Sequence, residues 1–415
     1  MSKTIKLSLA AIFTMNVLQA DDTLALANNF DELFIKGKTS GQIELMYSNH
    51  EIKNNEDPYS TAIGGQLKYE TAILNGFNAG VEFATVHEID GLSGDTEAKR
   101  ATLMVSPNGS YTQVSQSYLN YGYEDLDVRI GRQLIDTPLA DSDDYRIINN
   151  TFEAAIASYE ASDISIMLGY LNRWQGTDAL LNNDQPWQDT GKDGTYFGSI
   201  SYASNLLNAS TWYYDISEAS EGNTATGNVA NTSTYLDATL HFSINNNLTL
   251  DTSAQYLNQS ESDGSGIDAD IFGLMIEVTV DKNLGLILAY NHRNADDDKT
   301  SFAGFGGGTL FAGSDNMILD ALIGGDVDAT LAALSYQVSN LSLYYMYGLY
   351  ERDQTSTLAK EEIIEQCIGA DYSVNNNLTL STILTVSDDK ENTGSNAIYT
   401  GGNFTNFRLA AVYTF

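Results

Sequence analysis

A single cysteine, Cys367, excludes an intramolecular disulfide framework. Histidine is almost as scarce. His50, His87, His241 and His292 are scattered without metal-ligand spacing. There is no Gly-x-Ser-x-Gly elbow, no phosphate-binding Walker loop and no cysteine pair, so no catalytic constellation, cofactor site or metal centre is expected. Asp296-Asp297-Asp298 and Asp263-Gly264-Ser265-Gly266 lack the spacing and closing Glu of an EF-hand and read as solvated acidic loops. Basic residues are few: 20 Lys and Arg face 55 Asp and Glu, for a formal charge of −35 in 415 residues. Such a balance argues against nucleic acid and favours cations as partners. No apolar run reaches the roughly 20 residues a membrane helix needs. Only four prolines interrupt the chain.

What is present is alternation. Leu248, Leu250, Thr252, Ala254 and Tyr256 share one face of an extended segment, with Thr249, Asp251, Ser253 and Gln255 on the other. Leu378, Leu380, Thr382, Leu384 and Val386 oppose Thr379, Ser381, Thr385 and Ser387, with Ile383 as an apolar exception. The period is 2, that of strands. About eighteen such segments are counted, from 34–48 through 126–135, 151–160 and 163–174 to 404–415, an even number as bacterial single-chain barrels require. Short Asn-, Asp- and Gly-rich turns such as Leu74-Asn75-Gly76, Asp281-Lys282-Asn283 and Asn375-Asn376 alternate with long polar connections such as 175–193, 218–231 and 294–326. Asn, Asp and Gly tolerate the positive φ of tight hairpins. Short turns on one side and long loops on the other are the layout of a transmembrane barrel, which a soluble sandwich has no reason to adopt.

The two ends agree. Lys3 and Lys6, an apolar stretch from Leu7 to Leu18, and Ala20 before Asp21-Asp22 form a secretory signal peptide over 1–20, with Ala25 and Ala27 as alternative cut points. Its removal takes away two lysines and no acid. Residues 21–415 are then the barrel. The last strand carries Phe407, Leu409, Ala411, Tyr413 and Phe415 on one face; ending on an aromatic residue, it looks like the terminal segment, with Tyr413 and Phe415, that the barrel assembly machinery reads. These signals favour apolar residues outward and polar ones inward. The wall facing the lumen is then Glu44, Lys68, Glu70, Glu82, Arg129, Arg173, Asp251, Glu277, Arg293 and Arg408. A lumen of about eighteen strands is too wide for side chains to fill and must hold water. Arg132 falls by alternation on the lipid face, where an arginine at mid-depth costs roughly 2–4 kcal/mol; a bulge at Gly131 or an oligomer interface would relieve it.

The series Gly131-Arg132-Gln133, Thr137-Pro138, Asp143-Asp144, Arg146 and Thr151-Phe152 resembles the third-loop region of OprD-like outer-membrane porins of Gram-negative bacteria. Gly37-Lys38-Thr39-Ser40-Gly41, Tyr170-Leu171-Asn172-Arg173-Trp174-Gln175-Gly176 and Gly304-Phe305-Gly306-Gly307-Gly308-Thr309-Leu310-Phe311 look similar to other stretches of that family. The resemblance implies an all-β, up-and-down transmembrane barrel in the outer membrane, with the third loop folded inward as a constriction. It implies a water-filled channel for passive diffusion of small hydrophilic solutes and ions, and no enzyme. Outer-membrane lipid and lipopolysaccharide are the expected surroundings, and a homotrimer is open to it. In some members a ladder of lumen arginines and lysines guides carboxylates. Here only Lys68, Arg129, Arg173, Arg293 and Arg408 are candidates. The resemblance places Asp136, Asp141, Asp143 and Asp144, with Arg129 and Arg146, at the constriction; a loop so charged would set a transverse field if it sat in the lumen, where carboxylate rings favour cations. A non-conducting adhesin barrel is the rival reading; conductance separates the two.

Overall fold

The computed structural model describes residues 24–52, 57–96, 110–142, 146–176, 187–219, 227–308, 310–391 and 403–415. The expected signal peptide, with Ala20, lies outside them, as do Asp143, Asp144 and Thr309. A closed antiparallel barrel of 18 long strands forms the body. In chain order these are β1 Lys38–Ile52, β2 Tyr59–Glu70, β3 Phe77–Glu88, β4 Ser110–Tyr123, β5 Leu126–Gln133, β6 Thr151–Ala161, β7 Ile164–Gln175, β8 Thr195–Ala203 and β9 Leu207–Ile216. They continue with β10 Asn231–Asn245, β11 Leu248–Glu261, β12 Ala269–Val280, β13 Leu284–Asn294, β14 Val327–Val338, β15 Leu341–Arg352, β16 Glu361–Ser373, β17 Leu378–Asp389 and β18 Phe404–Thr414. Each pairs with its sequence neighbour, and β1 closes on β18 from Gln42↔Thr414 to Ile52↔Phe404. Closure leaves no long edge strand open. A short strand, Gln188–Asp189, adds to the long-loop end of β7.

The expected start at residue 34 is corrected. Residues 30–35 form a short helix, α1 (Phe30–Ile35), whose Asn29 side chain accepts a bond from the Glu32 amide. The apolar sequence of this segment lacks alternation with a polar face, and a good N-cap decides for helix. The other strand limits lie close to those expected. Among the described non-glycine residues, positive φ occurs at Asn75, Glu124, Ser162, Asp281, Lys282 and Ser339 in the short turns and at Asp263 in a longer connection.

Faces sort as alternation requires. Ile43, Leu45, Ile63, Leu67, Leu274, Leu288, Leu380, Leu409 and their parity mates are exposed, whereas Glu44, Glu82, Gln255, Asn291, Glu365 and Arg408 are buried. In a closed barrel the exposed apolar row faces outward. A row of exposed aromatics lines the short-turn rim, among them Phe77, Tyr123, Tyr159, Tyr202, Tyr336, Tyr372, Tyr413 and Phe415. They form the girdle of a lipid-embedded band. Phe415 also exchanges backbone bonds with Gly41, and its ring stacks at 6.3 Å on Tyr413.

Candidate functional site

Two connections hold most of the buried apolar residues that are not on strands. The first runs from β5 to β6 and begins with a miniature hairpin, Asp136–Thr137 paired with Ala140–Asp141. Pro138 supplies the fixed φ of its turn, and Thr137 Oγ1 donates to the Ala140 carbonyl at 2.9 Å. The Leu139 amide donates to the Tyr214 hydroxyl of β9 at 3.4 Å. On the other side, Gln66 Nε2 of β2 donates to the Ile147 carbonyl at 2.8 Å. A Cβ on Gly64 of β2 would collide with the Thr85 carbonyl oxygen of β3 and stand 2.7 Å from Ile147 Cγ2, so the glycine admits both the neighbouring strand and the loop. Tyr214, Gln66 and Gly64 all belong to the buried parity of their strands. One loop therefore touches β9 and β2, which lie on either side of its own anchor strands.

The second connection, 295–326, falls in the stretch 294–326 expected to be one of the long polar loops. It carries Phe302, Phe305, Ala312, Met317, Leu319 and Leu322, all buried in one cluster with Leu139, Ala140, Phe152, Trp174 and Tyr214. A solvated loop has no use for such a series, and this composition was the signal available in the sequence. The two loops meet backbone to backbone. The Phe305 amide donates to the Leu139 carbonyl at 2.9 Å, and the Asp141 amide to the Phe305 carbonyl at 3.0 Å. Gly304 and Gly306 have φ of 109° and 89°. A Cβ at Gly304 would sit 2.9 Å from Leu139 Cα, and one at Gly306 would collide with the Asp141 carbonyl. The glycine run thus serves this close approach.

The same loop hangs from the buried face of β11, β13 and β15 to β18. Phe302 exchanges two bonds with the Gln259 amide, and the Ala312 amide donates to Asn291 Oδ1 at 2.8 Å. Tyr350 Oη donates to the Met317 carbonyl at 2.8 Å, and Glu365 Oε1 accepts from Ser314 Oγ and the Asn316 amide at 2.6 and 2.8 Å. Asp315 takes bonds from Thr385 and Arg408. Sequence reasoning missed Ser314, Asp315, Tyr350 and Glu365, because which wall a loop docks on is not written in its own residues.

The expected wall residues separate into groups. Arg293 is fully buried and donates to the carbonyls of Leu322, Gly324 and Gly325 at 2.6, 2.9 and 3.0 Å and to Ser301 Oγ at 3.1 Å. It is a tie for the second loop, as Arg408 is through Asp315. Burial raises the Asp320 carboxyl above its ordinary range, opposed by the Arg293 charge and a Ser301 bond. Lys68 and Arg129 share one patch of the inner wall. Lys68 Nζ lies 3.1 Å from Glu70 Oε1 and 5.6 Å from the Tyr118 ring centroid, and the Arg129 guanidinium is 4.4 Å from the same ring. Arg129 Nε also donates to Asn120 Oδ1 at 3.1 Å. Among the described residues it makes no bond to the first loop. Glu82 accepts from Ser115 and Gln116 at 2.6 and 2.8 Å. Glu44 is buried on β1. Asp251, held 3.0 Å from His241 Nδ1, stands opposite Glu277 in register on the acidic stretch of wall. Of the expected constriction, Asp136 is exposed, Asp141 half-buried and Arg146 buried; Asp143 and Asp144 lie outside the described residues.

Two assignments are corrected. Arg173 is not on the inner wall. Glu153 pairs with Arg173 but Ala154 with Leu171, so Asn172 is an extra residue that reverses parity. Leu171 and Trp174 are buried, and Arg173 faces out to Glu153, with Nη2 to Oε2 at 2.8 Å. Nor does a bulge at Gly131 turn Arg132 inward, since register runs unbroken through Gly131 on both sides.

Arg293→Met tests the tie. It keeps the bulk and leaves three buried carbonyls without donors, at about 1–3 kcal/mol each. Limited proteolysis should cut the variant within 295–326 at protease levels that spare the parent, while circular dichroism shows unchanged strand content.

These features define a closed, lipid-facing antiparallel barrel with two long loops tied to its wall. The fold is shared with OprD/Occ-type porin structures. Acinetobacter baumannii OccAB4 superposes with a TM-score of 0.75 at 14% identity, covering 91% of this chain and 98% of that one. Pseudomonas aeruginosa OpdQ gives 0.73 at 16%, covering 93% and 99%, and P. aeruginosa OpdK, solved with vanillate, gives 0.73 at 14%, covering 92% and 99%. Such identities establish the fold. No family model and no curated protein matches the chain by sequence.

Proposed function

We propose that the protein is an outer-membrane porin, a channel for passive diffusion of small hydrophilic solutes and ions, narrowed by two inward-folded loops and selective for cations. The observation that carries this reading is the pair of loops, 134–150 and 295–326, bonded to each other and to polar-face residues of β2, β9, β11, β13 and β15 to β18. Loops that contact the buried face on so many strands have the placement of an eyelet. A lumen that must hold water beside them gives the path.

Charge supports the cation preference. Arg293 and Arg408 are engaged by the second loop and Arg173 faces out, which leaves Lys68 and Arg129 as the wall cations named above. Asp136, Asp141, Glu44, Glu82, Asp251 and Glu277 supply the acids. OpdK was crystallised with vanillate, a carboxylate; the ladder of free bases that would favour such a solute is depleted here. In a planar bilayer with a salt gradient, the purified protein should conduct with a cation-selective reversal potential. Anion selectivity would refute the charge argument, and absence of conductance would leave the adhesin reading.

A further inference from the structure

Arg132 and Arg173 stand together at the long-loop end of β5 and β7, on the exposed face. Arg132 Nη1 donates to the Val114 carbonyl at 3.4 Å, and its Nε lies 3.9 Å from Glu153 Oε2. Arg173 grips the same carboxylate through Nε and Nη2 at 3.2 and 2.8 Å. The Trp187 indole covers both, with guanidinium carbons 4.7 and 5.1 Å from its ring centroid. One carboxylate thus serves two guanidinium groups. Arg132 Nη2 and Arg173 Nη1 donate to nothing among the described residues. Just below on the same face are Ile130 and Leu168, 59% and 64% exposed, part of the apolar band.

We propose that this pair binds the phosphate of an outer-leaflet glycolipid, a phosphomonoester on an acylated sugar. The position is the first argument. The cluster sits where the apolar band ends and the long loops begin, the level of lipid headgroups on a barrel whose long loops face outward. The chemistry is the second. Glu153 and Asp189, the ladder partner of Arg173, balance the two guanidinium charges, so recognition rests on the directed N–H groups still open, Arg132 Nη2 and Arg173 Nη1, rather than on a positive field. Planar guanidinium donors match phosphate oxygens, and the indole holds the two planes in place. This also explains how the barrel tolerates an outward Arg132 without a bulge. The inference rests on the outer-membrane reading but not on conduction.

The test uses the full-length protein in detergent micelles, with diphosphoryl lipid A as the probe and bound lipid counted by native mass spectrometry. Arg132→Gln/Arg173→Gln should weaken binding by about tenfold or more; Lys192→Gln should not. A fully dephosphorylated probe should bind the parent as weakly as the diphosphoryl probe binds the double variant. Millimolar inorganic phosphate should not displace the lipid. Equal binding by parent and double variant, or equal binding of the dephosphorylated probe, overturns the proposal. Displacement by free phosphate overturns the lipid as its source, and a loss of oligomer with lipid binding intact assigns the cluster to an interface between copies instead. Should the glutamine pair fail to fold, Arg132→Lys/Arg173→Lys keeps the charge without the planar, indole-covered guanidinium donors and must still lose affinity. A parent that binds lipid but does not conduct would sink the porin reading alone.

Discussion

Replacing residues 303–317 with a short Gly-Ser linker should raise single-channel conductance severalfold. The segment removed contains Phe305, the backbone link to the first loop, and Ser314 to Met317, the docking points on Glu365, Tyr350, Thr385 and Arg408. No rung of the barrel ladder uses these residues, so strand content should persist. Arg408 and Glu365 would lose loop partners and be hydrated by the water that takes the loop's place. The first loop would lose the apolar cover over Leu139 and Ala140, so open-state current noise should rise with the mean conductance. Single-channel recording of parent and linker variant is the measurement. Unchanged conductance would mean that the second loop lies outside the conduction path.

The barrel was legible because its determinants are local and repeated. Alternation along Leu248 to Tyr256 or Leu378 to Val386 fixes which face meets lipid, and Asn75, Asp281 and Ser339 fix where the chain turns. Neither needs knowledge of a distant residue. Bulges break this logic. One extra residue, Asn172, reverses the face of Arg173, and nothing in Tyr170-Leu171-Asn172-Arg173-Trp174 announces it; two flanking apolar residues, Leu171 and Trp174, at odd spacing are the only trace. The site was legible in part. The first loop stood out through its motif as a candidate, but Arg293 and Arg408 read as wall cations because their partners, the carbonyls at 322–325 and the Asp315 carboxylate, lie far along the chain. A lumen arginine and a structural arginine have the same parity. What separates them is whether a loop comes to meet the guanidinium. The apolar content of 302–322 said that it would, without saying where.

Neutralising the first loop should produce the largest change in selectivity. Asp136, Asp141, Asp143 and Asp144 replaced together by asparagine keep their size and lose four negative charges in a short stretch. The hairpin should survive, since the bonds that shape it run through the backbone of Ala140 and Asp141, the Thr137 hydroxyl and the Tyr214 hydroxyl. If these carboxylates set the field of the eyelet, the reversal potential should move sharply toward zero while strand content and heat stability stay near those of the parent. Lys68 and Arg129 would then count for more, and weak anion preference becomes the limiting outcome. Salt supplies an independent reading. Screening reaches about 3 Å at 1 M, so the parent's preference should shrink as ionic strength rises toward that value, and the variant's should hardly respond. A quadruple variant with the parent's reversal potential would remove the loop as the selectivity element. The field would then belong to the wall carboxylates, with Asp251 and Glu277 facing each other in register as the next pair to neutralise.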